Sequence, residues 1–244
     1  MNRNKEPTKQ SKKHMGIKLL SFFLIIGTVG AVCFNGIRKS AQESGVPPFF
    51  GAEAIDAGAQ EEEWRLTLVN KWNPLPSPDR SVKTVKLSNG ERVDQRIYPY
   101  LQKMFDAARS AGIYPTVSSG YRTEKEQKQI YHEKISAYKA EGLSEAEARN
   151  AAELWVAVPG TSEHQLGLSV DINADGVHST GEDVYEWLAQ NAHRYGFICR
   201  YPADKTNITG VANEPWHYRY VGIEAAGEIH SRGICLEEYL GKIN

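Results

Sequence analysis

The sequence predicts an α+β fold for residues 64–244, on three observations. Amphipathic helices and short β-prone runs are mixed along this segment without a regular strand–helix–strand repeat, which argues against a parallel sheet. No internal repeat is visible, so a solenoid is not expected. The segment holds roughly 180 residues, a length that suits a single domain.

Turn residues and apolar periodicity predict the elements of the first part of this segment. It opens with a short β-prone run at 66–76 (LTLVNKWNPLP), and an Asn-Gly pair at 89–90 marks a turn. Within 96–111 the apolar residues recur at helical spacing, and Gly112 is placed to end this helix. A second short β-prone run follows at 114–117.

Capping signals mark two further helices. Thr123 and Glu126 have the spacing of a capping box and predict a helix that runs to Gly142. A cap residue followed by an acid three positions later also begins a helical stretch at 144–157. The elements predicted after it are a strand at 166–172 with Asp171 near its end, a helix at 183–195, strands at 197–201 and 217–221, and a helical tail from Gly222.

The N-terminal region is basic and then apolar. The first 18 residues hold six Lys or Arg residues against one acid, and the apolar run 19–34 follows. A cleaved signal peptide would need a small-residue cleavage site, which does not follow the run. A lipoprotein signal ending at Cys33 would need a small residue where Val32 stands. An uncleaved signal-anchor fits better, because 17–37 is long enough to cross ~30 Å of hydrocarbon.

The basic flank is heavier on the N-terminal side, so the positive-inside rule places the N-terminus in the cytoplasm. We therefore expect a cytoplasmic basic tail at 1–18, a transmembrane signal-anchor at 19–37, a linker at 38–63 and an extracytoplasmic domain at 64–244. The chain would be a single-pass membrane protein with its domain on the cell-wall side. The formal net charge of -1 argues against nucleic acid as a partner, since phosphate binding needs a cationic face.

Five side chains outside the apolar pattern suggest metal chemistry. His164, Asp171 and His217 provide two imidazoles and one carboxylate, the type of ligand set that catalytic zinc sites use while leaving a position for water. Glu214 is suited to act as a general base beside such a water, and Arg122 to stabilise an oxyanion or bind a carboxylate. Their spacing alone also allows ordinary roles in packing or in surface ion pairs.

Four blocks together resemble a known family: LVNKWNPLP at 68–76, SSGYRTEKEQ at 118–127, PGTSEHQLGLSVDI at 159–172 and EPWHYRYVG at 214–222. The chain is similar over about residues 64–240 to the VanY-type D-alanyl-D-alanine carboxypeptidases, which are zinc D,D-peptidases of the lysostaphin, D-Ala-D-Ala metallopeptidase and sonic hedgehog group. The resemblance implies a small antiparallel sheet that carries the zinc site and is flanked by helices.

The resemblance also implies roles for individual residues. The zinc ligands would be His164, Asp171 and His217, and Glu214 would be the catalytic base. Arg122 would bind substrate and stabilise the transition state. The other residues that the resemblance places in the substrate pocket are Gln127 and Ser162, together with Ser119 and Trp216.

The implied activity is removal of the C-terminal D-alanine from peptidoglycan stem peptides by a monomeric domain. Two alternatives stay open: an L,D-carboxypeptidase that acts on tetrapeptide stems, and a non-catalytic cell-wall-binding module. Cys199 and Cys235 stand where relatives are expected to have aliphatic residues. This favours a disulfide between them over two free thiols, since the domain is expected outside the cytoplasm.

Overall fold

The computed structural model describes residues 64–77 and 81–243. The predicted tail at 1–18, signal-anchor at 19–37 and linker at 38–63 lie outside the described residues. None of the helices in the described ranges combines the length and the apolar character needed to span a lipid bilayer.

The structure contains two antiparallel sheets. Strands β1 (Thr84–Lys86) and β2 (Arg92–Asp94) form a hairpin around the predicted Asn-Gly turn. The larger sheet has four strands in the order β3–β4–β6–β5, namely β3 (Pro115–Ser119), β4 (Ser169–Ala174), β5 (Phe197–Tyr201) and β6 (Glu214–Tyr220). Every neighbouring pair in it is antiparallel, so the mixed helix and sheet architecture agrees with the predicted fold class.

Seven α-helices surround these sheets within the described residues. They are α1 (Tyr98–Ser110), α2 (Glu124–Ala140), α3 (Glu145–Ala152), α4 (Gly181–Asn191), α5 (Thr206–Thr209), α6 (Ile223–Arg232) and α7 (Leu236–Tyr239). The predicted capping box at Thr123 is present, and Ser144 and Thr180 begin α3 and α4 in the same way. Each cap satisfies backbone N–H groups that the first helical turn leaves without partners.

The two faces of the large sheet have different chemistry because side chains alternate along each strand. Val170, Ile172 and Tyr218 point to one face and pack in the main apolar core with residues of α1 and α4. Asp171 and His217 lie on the other face, which also carries a smaller apolar cluster under α6 and α7. A third cluster joins α2 to α3.

Several predicted boundaries are corrected by the structure. The β-prone run at 66–76 is not a strand; it is a loop in which Asn70 and Asn73 pair with each other. The strand predicted at 166–172 begins at Ser169, because Glu163–Leu166 form a 3-10 turn. Asp171 therefore lies inside β4 rather than near its end.

Three other elements differ in length from the prediction. The helical stretch at 144–157 ends as α3 at Ala152. The helix at 183–195 is α4 followed by a 3-10 turn at Ala192–Tyr195. Strand β6 starts three residues earlier than predicted, at Glu214, since this residue pairs with Tyr201 of β5.

The predicted disulfide is wrong: Cys199 and Cys235 are both free. Cys199 lies on β5 and packs against the main core. Cys235 caps α7, whose first residue, Leu236, belongs to the smaller cluster on the opposite face of the sheet. Cys199 therefore points to the face of the sheet opposite the one that α7 covers.

Candidate active site

A 3-10 turn and a glycine position His164. The turn Glu163–Leu166 ends at Gly167, whose φ of 75° is readily accessible only to glycine. His164 is buried, and its Nδ1 lies 2.8 Å from the carbonyl oxygen of Gly120. This contact leaves Nε2 facing Asp171, whose Oδ1 is 3.4 Å away.

Strand register brings Asp171 and His217 together. The two residues are partners across β4 and β6, and Asp171 Oδ1 lies 2.9 Å from His217 Nδ1. The rings of His164 and His217 are nearly perpendicular, with centroids 4.9 Å apart.

These three residues are suited to hold a metal ion. One ligand atom from each of His164, Asp171 and His217 lies within 4.8 Å of the other two. Two imidazoles and one carboxylate are a donor set of catalytic zinc sites, in which water or substrate takes the fourth position. The predicted ligand set is therefore assembled in one place.

The electrostatics of the two histidines differ. Burial, reinforced by the charge of Arg122, lowers the pKa of His164 to about 4, which keeps this imidazole neutral and able to donate a lone pair. Burial also disfavours charge on His217, but its contacts with Asp171 and Glu163 outweigh burial and raise its pKa to about 9. A metal ion must therefore displace a proton from His217 at neutral pH.

Glu214 lies beside the three donors. It is the first residue of β6, it is buried, and its Oε2 is 3.8 Å from His217 Nδ1. Burial and the nearby charge of Asp171 raise the pKa of Glu214 to about 8, despite the opposing effect of His217 and Arg122. A carboxyl group with this pKa can both accept and release a proton near neutral pH, as acid–base catalysis requires.

Arg122 joins two predicted pocket residues to Asp171. Its guanidinium donates to Ser119 Oγ at 2.9 Å, Gln127 Oε1 at 3.3 Å and Asp171 Oδ2 at 3.1 Å. Gln127 is fully buried and in turn donates to the carbonyl oxygen of Ala157. The side chains of Arg122 and Asp171 remain 18% and 15% exposed, so the site is open to solvent on this side.

The other two predicted pocket residues lie at the margin of the site. Ser162 is buried and directly precedes the 3-10 turn that carries His164. Trp216 is half-buried and contacts Tyr185, with ring centroids 6.4 Å apart. Burial and the charge of Asp171 raise the pKa of Tyr185.

The structure adds two residues that sequence reasoning did not select. The ring of Tyr201 lies 4.9 Å from that of His217. Glu163 directly precedes His164 and is fully buried between Arg200 and Arg219. Burial raises the pKa of Glu163, but the two arginine charges outweigh it and hold this pKa below the usual range of a glutamate. The only sequence signal for this group was an arginine within each of the strands β5 and β6.

Known proteins are similar to this chain in sequence and architecture. The family model described as VanY, D-alanyl-D-alanine carboxypeptidase, matches residues 90–223. A D-alanyl-D-alanine carboxypeptidase of Enterococcus faecalis (strain ATCC 700802 / V583) is 64% identical over 206 residues, which make up 84% of this chain and 74% of that protein.

Two solved structures are similar as well. The first is a variant of the vancomycin resistance D,D-pentapeptidase VanY from a VanB-type cassette, in complex with Zn(II). It is 65% identical with a TM-score of 0.71, and the match covers 72% of this chain and 99% of that chain. The second is VanYB in complex with D-alanine-D-alanine, which is 64% identical with a TM-score of 0.71 and matches over 73% of this chain and 98% of its own.

Proposed function

This chain belongs to the VanY family of D-alanyl-D-alanine carboxypeptidases, and we propose that it removes the C-terminal D-alanine from peptidoglycan stem peptides in a zinc-dependent reaction. The observation that carries this proposal is the convergence of His164, Asp171 and His217 with Glu214 in one partly open site. A similar protein was solved with zinc and another with D-alanine-D-alanine, which supports both the metal and the substrate class.

In this proposal His164, Asp171 and His217 hold the zinc ion. When bound, zinc supplies Lewis acidity, which polarises a carbonyl group and makes a water molecule more acidic. Asp171 contributes a negative charge to this site. The same charge raises the pKa of both His217 and Glu214.

Glu214 is the proposed general base. It accepts a proton from the attacking water and then delivers a proton to the amine of the departing D-alanine. Its side chain is positioned for this, because it lies beside the donors at the start of β6. The positive charge of a metal ion at the donors would lower the Glu214 pKa from about 8, which favours the basic form.

Arg122 is proposed to bind a negatively charged group of the substrate. Its guanidinium is fixed by Ser119 and Gln127 and carries a positive charge at any working pH. Such a group stabilises the oxyanion that forms as the peptide bond is attacked, or binds the terminal carboxylate. Ser162 and Trp216 are proposed to line the pocket around the terminal residue.

We further propose that the domain at 64–244 acts as a monomer outside the cytoplasm, tethered by the signal-anchor at 19–37 and the linker at 38–63. The basic flank of the apolar run supports this orientation. Stem peptides lie on the same side of the membrane, so location and substrate agree.

The decisive experiment is incubation of the zinc-loaded domain with pentapeptide and tetrapeptide stems, followed by mass spectrometry. The expected result is loss of one D-alanine from the pentapeptide and an unchanged tetrapeptide. Release of D-alanine from the tetrapeptide alone would show an L,D-carboxypeptidase instead. No hydrolysis of either peptide, with peptide binding retained, would support the cell-wall-binding alternative.

A further inference from the structure

The two carboxylate oxygens of Glu163 have different surroundings. Oε1 accepts hydrogen bonds from Arg200 Nε and Arg219 Nη1, both at 2.8 Å. Oε2 accepts a hydrogen bond from Ser169 Oγ at 3.1 Å and lies 3.7 Å from Nε2 of His217. One oxygen thus holds both arginines, and the other faces a proposed metal ligand.

The two ring nitrogens of His217 are equally distinct. Nδ1 faces the metal donors, at 2.9 Å from Asp171 Oδ1. Nε2 is buried and has no hydrogen-bond partner within 64–77 and 81–243; the nearby anion is Glu163. A neutral imidazole carries its proton on one nitrogen only, so a metal bound through Nδ1 requires the proton on Nε2.

We propose that Glu163 is a positioning residue for His217: its Oε2 stabilises the proton on Nε2 and thereby presents Nδ1 to the metal. This inference rests on the proposed function, since it takes His217 as a zinc ligand. Metal-binding histidines commonly use a carboxylate in this way, because it fixes both the tautomer and the orientation of the ring. At 3.7 Å the contact is longer than a hydrogen bond, and a shift of roughly half an ångström brings it into range.

A charged carboxylate can occupy this buried position because its surroundings neutralise it. Arg200 also binds Glu237 through two contacts, at 2.8 Å and 2.6 Å, so two arginines and two glutamates form a neutral group. All four side chains are fully buried. Arg219 additionally donates to the carbonyl oxygens of Arg65 and Thr67, which fixes the group to the loop before β1.

Glu237 offers a matched control for Glu163. Both are buried carboxylates bound to Arg200, but only Glu163 faces His217. If Glu163 merely stabilised the fold, Glu163→Gln and Glu237→Gln would have the same kind of effect. If it positions His217, only Glu163→Gln affects metal binding by the folded protein.

The experiment measures zinc affinity by chelator competition and the absorption spectrum of the Co(II)-substituted protein, with thermal unfolding recorded for both variants. We expect Glu163→Gln to lower zinc affinity by roughly 10- to 100-fold and to change the Co(II) spectrum. Glu237→Gln should unfold at a lower temperature but keep the wild-type spectrum and nearly the wild-type zinc affinity. Equal losses of affinity in the two variants would overturn the proposal.

A measurement on the wild-type protein covers the case in which Glu163→Gln fails to fold. Nitrogen-15 NMR of the zinc-loaded protein should show the proton of the His217 ring on Nε2. A ring bound to zinc through Nε2, with the proton on Nδ1, would refute the role of Glu163 whether or not peptides are hydrolysed. Failure of the wild-type protein to bind zinc would instead refute the proposed function itself.

Discussion

Asp171 and His217 are paired across β4 and β6, and a carboxylate oxygen of Asp171 lies 2.9 Å from His217 Nδ1. Because side chains alternate along a strand, a slip of one residue between these strands would direct one of the two donors into the apolar core. The metal site therefore depends on the strand register, which Val170 and Tyr218 fix by their burial on the opposite face.

We predict that Glu214→Ala retains zinc but loses nearly all hydrolysis, by roughly 100- to 10,000-fold in kcat, because the general base is removed. Mass spectrometry of a pentapeptide stem and chelator competition measure the two properties. Glu186→Ala is the control, since it removes an exposed carboxylate from α4 and should leave both properties unchanged. Full activity of Glu214→Ala would contradict the proposed mechanism.

Zinc affinity should rise with pH up to about 9. The pKa of His217 is raised to about 9, so below this pH zinc must displace a proton from the ring. One displaced proton corresponds to a roughly tenfold gain in affinity per pH unit. Below pH 8 the dependence should be steeper, because Glu214, with a pKa of about 8, also holds a proton that the metal charge expels.

Chelator competition at several pH values between 6.5 and 9 tests this dependence. Calorimetry in two buffers of different ionisation enthalpy gives the number of protons released, which should be one or more. An affinity that stays constant over this range would show that His217 is already unprotonated before zinc binds.

Arg122→Lys should lower kcat/KM by roughly 100-fold. Lysine keeps the positive charge but lacks the planar guanidinium, whose donors bind Ser119, Gln127 and Asp171. Steady-state kinetics with a pentapeptide stem measures the loss. Arg92→Lys is the matched control, since Arg92 forms an exposed ion pair with Glu126. Equal losses in both variants would indicate a general effect of the substitution rather than a role in the site.

Gly120→Ala should destabilise the protein by about 2–3 kcal/mol and weaken zinc binding. An added Cβ would lie 2.0 Å from the carbonyl oxygen of Arg92, so the backbone must move, and the Gly120 carbonyl is the contact of His164 Nδ1.

Gly227→Ala is the control for this substitution. Apart from the local backbone of α6 and the chain neighbours, no atom of the described residues lies within 4 Å of a Cβ at this position, and alanine should stabilise the helix by about 0.5–1 kcal/mol. Denaturant unfolding with and without zinc measures both effects. A neutral Gly120→Ala would show that His164 does not depend on this backbone contact.

Elements with local signals were predictable from the sequence. Helix α2 has its capping box at Thr123, and the Asn-Gly turn forms the hairpin of β1 and β2. The four residues of the proposed metal and base site were selected as a group because their flanking blocks resemble a family. The structure then places their side chains together.

The features that the sequence did not predict correctly all depend on contacts between residues that are distant in the chain. The run at 66–76 has β-prone residues, but Leu68, Val69 and Leu75 are buried by packing of a loop rather than by strand pairing. The predicted disulfide does not form, because Cys199 packs against the main core while Cys235 begins α7 on the opposite face of the sheet. The sequence assigned no role to Glu163, because its partners Arg200 and Arg219 are distant in sequence and an acid beside a histidine carries no local sign of burial.

The buried group of two glutamates and two arginines also has a consequence for the order of events during synthesis. Asn70 donates a hydrogen bond to Glu237, a residue 167 positions later in the chain. Until α7 has been synthesised, Arg200 has Glu163 but lacks Glu237 as a partner. Burial of two arginines with one glutamate would leave one positive charge uncompensated. We therefore expect a nascent chain to form the capped helices first, and to pack this face of the sheet once Glu237 is available to complete the buried group.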